Sequence, residues 1–153
     1  MKNKYLETLL LYYEEEIMGE GYFIALSEHF AKPHQKEKML LLAKVEKFAA
    51  EAILPLLSKY ELVPRDSRLL KEIGKKGLTK VGHFSWDEFI NDIYINFPKY
   101  LVEFAELERM APESDIEMLK ILTDHEVAAI EFAKLEREGN TNSIDPLVQY
   151  MEN

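Results

Sequence analysis

The stretch from Tyr5 to Ala31, YLETLLLYYEEEIMGEGYFIALSEHFA, decides the fold. Its positions step by four and three residues through Leu6, Leu10, Tyr13, Ile17, Glu20, Ile24 and Ser27. That spacing returns to one side of a 3.6-residue helix and makes a seam that other helices must cover. A carboxylate, Glu20, stands in the middle of it. Gly19 and Gly21 flank Glu20, although each glycine costs a helix up to ~1 kcal/mol relative to alanine. Close approach of another helix, or room for a ligand near Glu20, would account for them.

Outward from this stretch the pattern repeats. Helical spacing recurs over His34–Tyr60, Phe97–Ala111 and Glu113–Glu138, and no segment sustains the two-residue alternation of a strand. Pro33, Pro64, Pro98, Pro112 and Pro146 fall near the ends of these runs, as helix breakers should. Pro55 lies inside the second run and is expected to kink it or end its regular part. The connections near Lys32–Pro33 and Pro112 are short, which forces antiparallel neighbours. Between the second and third runs lies Glu61–Asn96, too long for a turn, with short helices expected near Ser67–Lys75 and Ser85–Tyr94. A last short helix is expected at Pro146–Met151. The expectation is an all-α, antiparallel four-helix bundle with one long crossover carrying short helices, formed as a single domain over residues 1–153.

Composition narrows the chemistry. The formal charge of −9 offers no concentrated positive field for phosphate, so nucleic acid is not an expected partner. The chain has no cysteine, which excludes disulfides, a thiolate nucleophile and sulfur-ligated zinc or iron–sulfur centres. No apolar run is long enough to be a membrane span or a signal peptide, so a cytoplasmic protein with no membrane partner is expected.

The other seams also carry glutamates. Glu46 interrupts Met39, Leu42, Ala49, Ile53, Leu56 and Tyr60; Glu103 interrupts Tyr100, Leu107 and Met110; Glu126 interrupts Leu119, Leu122, Ala129 and Ala133. Glu20 lies about as far before the first turn as Glu46 lies after it. Glu103 and Glu126 match less well, by about one helical turn, ~5 Å, and Glu106 is the alternative on that helix. Tyr13 and Tyr100 lie on the same stripes. Unpaired buried carboxylates cost several kcal/mol each even after relaxation, and clustering makes it worse. Such a group calls for protons, buried cations or metal. A pair of divalent ions would neutralise four carboxylates, and hard oxygen ligands suit iron first and manganese second. His125, on the adjacent stripe, could add a nitrogen ligand.

These residues carry a resemblance to the ferritin-like superfamily of carboxylate-bridged dinuclear metal proteins, which includes rubrerythrins and bacterioferritins. In that family the first and third helices each give a glutamate, and the second and fourth each give Glu-x-x-His. The resemblance implies Glu20 and Glu103 as the single glutamates, with Glu46 and Glu126 heading the paired motifs. Glu103 with Glu106 also resembles the Glu-x-x-Glu of the rubrerythrin third helix. The family's histidines are replaced by Ala49 and Ala129, so both halves read Glu-x-x-Ala-x-Glu, over Glu46–Glu51 and Glu126–Glu131. The implied function is di-iron or manganese–iron oxidase, peroxidase or oxygenase chemistry in a homodimer, fed by a separate electron-donor protein. A bundle that has lost its metals and serves as a binding or oligomerisation module is the alternative that the missing histidines motivate.

Overall fold

The structure, a computed structural model, describes residues 3–152. Asn3 opens the first helix, its side chain accepting the backbone N–H of Tyr5 at 2.9 Å, so that α1 runs Lys4–His29. After a three-residue connection Pro33 starts α2, Pro33–Lys59, from the first helical position, where its missing N–H costs nothing. Helices this long joined this tightly, and packed along each other, run antiparallel.

The crossover holds three helices: α3 (Ser67–Lys75), capped by Asp66; the single turn α4 (Leu78–Val81); and α5 (Trp86–Asn96), which opens with a reciprocal Ser85–Glu88 capping box. Then follow α6 (Pro98–Met110), a 3-10 turn at Glu113–Asp115, α7 (Ile116–Arg137) and α8 (Asp145–Tyr150). Among the described residues there is no strand, and no helix is long and apolar enough to cross a membrane.

The chain is therefore all-α, with helix positions close to those expected from its periodicity. Pro55 lies inside α2 without ending it. Its ring is exposed, and the helix continues past it to Lys59 with the one backbone bond that proline cannot make forgone. The helix instead stops at Tyr60, where Glu61 takes a left-handed conformation (φ 55°) and Leu62 N–H bonds back to the Leu57 carbonyl.

α1 is buried on two sides, by α2 and by the crossover helix α3. The second contact explains two glycines. A Cβ on Gly21 would lie 2.7 Å from the Lys71 Cα, and one on Gly74 would lie 2.6 Å from the Met18 carbonyl carbon. Backbones cannot retreat as side chains do. Gly21→Ala is expected to lose ~1–3 kcal/mol by overpacking, despite alanine's better helix propensity. Urea denaturation checks this, and an unchanged midpoint would mean that α3 is free to move off α1.

α7 is the hub, contacted by α2, α5, α6 and α8. Its entry is tied by Asp115, fully buried, which accepts from Tyr5 Oη (2.8 Å), from Tyr60 Oη and from Lys59 Nζ (2.6 Å). Burial alone would raise the Asp115 pKa, but these three donors hold it below the ordinary range. Asp115→Ala leaves two tyrosine hydroxyls without their acceptor, and is expected to cost ~2–3 kcal/mol in a chemical melt.

The apolar core falls into two main clusters. One gathers Phe23, Leu26, Met39, Leu42, Phe89 and Phe132; the other gathers Leu9, Ile53, Leu57, Phe104, Leu119 and Leu122. Along α1, α2 and α7 alike, the break between the clusters falls where ionisable side chains turn inward.

Candidate metal centre

The layer between the two apolar clusters is built on His125. Its Nδ1 meets the Leu122 carbonyl one turn back on α7, which fixes the ring and sends Nε2 into the interior. Around Nε2 stand Glu16 Oε1 from α1 at 2.7 Å, Glu46 Oε2 from α2 at 2.9 Å and Glu126 Oε1 from α7 at 3.3 Å. His125 is 1% exposed, Glu16 and Glu126 are buried, and Glu46 is partly buried with its Oε2 out of reach of solvent. Phe104 of α6 sets its ring edge-on to His125, centroids 5.6 Å apart. Behind it Tyr150 of α8 packs 6.5 Å away and donates to the Ile121 carbonyl at 2.7 Å.

The glutamates expected on the four seams separate into two groups. Glu46 and Glu126 lie in the cluster with His125. Both α7 residues reach it because α7 buries a broad face, through Leu119, Leu122, His125, Glu126, Ala129 and Phe132, and leaves the stripe of Glu117, Lys120, Asp124, Val127 and Lys134 to solvent, so the stripes of His125 and Glu126 are both interior. Glu20 goes elsewhere, onto the α3 side, where its carboxylate is 3.6 Å from Lys71 Nζ. Glu103 is exposed and accepts from Tyr12 Oη at 3.4 Å, while Glu106 pairs with Arg109 on the surface. Thus α6 brings the aromatic rings of Tyr100 and Phe104 to this level rather than a carboxylate. Tyr13 packs against the Ile17–Leu70 cluster instead.

Glu16 is the member that the periodicity left out, and the sequence did contain its signal. The same alternation of four and three holds one residue earlier, through Tyr5, Leu9, Tyr12, Glu16, Gly19, Phe23, Leu26 and Phe30. The connection is centred on Ala31, and Glu16 and Glu46 are equidistant from it. Gly19 belongs to the same arrangement: a Cβ there would run into the Glu46 carboxylate, with Cδ only 3.0 Å away. Its hydrogen leaves that carboxylate its place.

Burial and mutual charge set the protonation. Burial pushes Glu16 well above the ordinary carboxylate range, Glu46 adds to this, and His125 opposes it. Glu126 is pushed up to about 8, by burial first and then by Glu46 and Glu103. Burial works the same way on Glu46, yet the His125 charge and hydrogen bond hold it low. Burial would lower His125, but Glu16 and Glu46 raise it well above 6.5. Without metal these directions favour charge on His125 and Glu46 as a pair, and favour the protonated form of Glu16 and Glu126 beside it.

The same donors suit a cation. Ligand atoms ~2.1 Å from a common ion and at right angles to one another lie ~3 Å apart, close to the spacings of Glu16, Glu46 and Glu126 from Nε2. One ligand atom each from Glu16, Glu46 and His125 lies within 4.8 Å of the others. A proton on Nδ1 leaves the Nε2 lone pair for metal, the usual second-sphere arrangement for a ligating histidine. Beside the cluster a cavity of about 410 Å³ is lined by Glu16, Glu46, Glu126, Tyr22, Phe97 and Tyr100, among others.

Fold and site together define an all-helical protein with a histidine–carboxylate layer buried across its core. No family model, curated protein or solved structure matches the chain.

Proposed function

We propose that this chain is a metal-binding helical bundle of the ferritin-like kind, holding a divalent transition ion on Glu16, Glu46, His125 and Glu126. The observation that carries the reading is the convergence of three buried carboxylates on one imidazole nitrogen, from three helices, between two apolar clusters. Three carboxylates and one imidazole favour iron or manganese over softer metals. A second ion would take the remaining Glu126 oxygen, Oε2, which is buried without a hydrogen-bond partner in a residue that lines the cavity. Bound there, iron or manganese would supply one-electron exchange with dioxygen or peroxide. The chain has no cysteine to hold an electron-transfer centre of its own, so its reductant would be a separate protein.

Metal analysis after anaerobic loading with iron(II) or manganese(II), then exhaustive dialysis, tests the proposal. At least one ion per chain is expected to remain. Glu16→Gln and Glu46→Gln should lose it, and Glu20→Gln should keep it. Gly19→Ala is a finer probe, because its Cβ displaces the flexible end of Glu46 rather than backbone. Folding stability should change by less than ~1 kcal/mol, while metal affinity falls ~10-fold or more. Retention by Glu16→Gln and Glu46→Gln at the wild-type level would place the metal elsewhere.

One observation favours a second reading. The His125–Glu46 pair already balances charge without metal, as a metal-free bundle working as a binding or oligomerisation module would need. In that case no ion survives dialysis, and Glu126→Gln stabilises the protein at pH 9 whether or not metal is present.

A further inference from the structure

The cavity beside the cluster holds more than the proposed metal ligands. Its deepest lining residues, Glu16, Phe23, Phe104 and Glu126, are buried, whereas Glu15, Asn96 and Lys99 are exposed, so it runs from solvent down to the carboxylates. Its volume of about 410 Å³ is that of a small-molecule site. The walls between are rings: Tyr22, Phe97 and Tyr100 near the mouth, Phe104 below. Five acidic residues line it, Glu15, Glu16, Glu46, Asp92 and Glu126, against the single ammonium of Lys99. At the floor Glu126, 5% exposed, keeps Oε2 buried with no hydrogen-bond partner.

Aromatic faces and carboxylates attract the same kind of guest. Ring faces carry negative potential and hold ammonium groups, the more strongly once water is excluded. An anion entering here meets ring faces and the carboxylates of Glu15 and Asp92, which are of its own sign. The chain supplies its own illustration at the mouth, where Lys99 Nζ stands over the Tyr100 ring, 5.1 Å from its centroid.

We infer that the cavity binds a small organic cation, a protonated amine on a compact apolar or aromatic body, with the body between the Tyr22, Phe97 and Tyr100 rings and the nitrogen near Glu15 and Asp92, the acidic lining residues that are not proposed metal ligands. The inference rests on the metal reading for its purpose, since it names the class of molecule presented to the ion. Binding itself also draws on Glu15, Asp92 and the rings, none of which is a proposed ligand.

Three probes of one shape separate the charge effect: benzylamine, benzyl alcohol and benzoate, titrated calorimetrically at pH 7 into the full chain before and after manganese loading. Benzylamine is expected to bind about tenfold more tightly than benzyl alcohol in both states, with benzoate weakest. Phe97→Leu and Glu15→Gln should each weaken benzylamine severalfold while leaving benzyl alcohol within about twofold. Benzoate binding as well as benzylamine, or no heat from benzylamine in either state, overturns the inference. So does wild-type benzylamine affinity in both variants. Benzylamine binding without retained manganese would sink the metal reading and leave this inference standing. Retained manganese without benzylamine binding would do the reverse.

Discussion

Saturating manganese(II) raises the melting temperature of the wild-type chain by ~8–16 °C, and by more at pH 8 than at pH 5.5. The size follows from mass action: an ion at a thousand times its dissociation constant adds ~4 kcal/mol, and each kcal/mol moves a chain of this length by ~2–4 °C. The pH dependence follows from the protons the ion must displace. Glu126 holds a proton up to about 8 in the folded chain and releases it near 4.5 when unfolded. Between those values the folded state binds more protons, so stability without metal falls as pH rises. Glu16 is shifted in the same direction. His125, raised above 6.5, contributes stability that is complete below 6.5 and is lost as pH climbs through its folded value. Glu46, held low, adds stability above 4.5 that disappears only in acid. Without metal, melting temperature should therefore decline by ~5 °C or more from pH 5.5 to pH 8. Manganese should flatten or invert that slope. Scanning calorimetry at the two pH values, with and without the ion, reads both effects. A metal-independent slope would mean that these carboxyls are not the ligands.

Much of this protein could be read before its structure, for reasons that differ from element to element. Ser67–Lys75 was expected as a helix and is one, to the residue, because Asp66 and Ser67 mark its start plainly. Glu46 and Glu126 could be placed in the interior because α2 carries a narrow apolar stripe and α7 buries a broad face that takes in several adjacent positions. On α1 the same method selected Glu20 over Glu16. That helix has two buried faces, one toward α2 and one toward α3, and periodicity gives phase only when a single face is covered. The position of the turn would have decided it: centred on Ala31 it levels Glu16 with Glu46, centred on Pro33 it levels Glu20. On α6 the seam runs through Phe104 and Leu107, and Glu103 lies just outside it. The missing fourth carboxylate is an aromatic wall, which a search for like residues on like helices does not find.

His125→Ala produces the largest loss of stability of any single change in the cluster, ~3–5 kcal/mol in the absence of metal. Removing the imidazole takes away the only positive group among Glu16, Glu46 and Glu126 and opens a void beside Phe104 and Tyr150. Glu46, which His125 keeps ionised, must then either remain an unpaired buried charge or take up a proton. The variant should consequently be more stable at pH 5 than at pH 8, with a steeper slope than the wild type. Glu20→Ala provides the contrast: its partner Lys71 is 3.6 Å away and partly exposed, so under ~1 kcal/mol is at stake. The cycle between His125→Ala and Glu46→Gln isolates the charge. Substituting Glu46 in the His125→Ala background relieves an uncompensated carboxylate, so the double variant should be more stable than His125→Ala alone, with a coupling above ~1 kcal/mol. Urea melts of the four proteins measure it at one pH. Additive losses would mean that His125 stabilises the fold by packing alone, and the carboxylates would then have no buried positive partner to exchange for a metal ion.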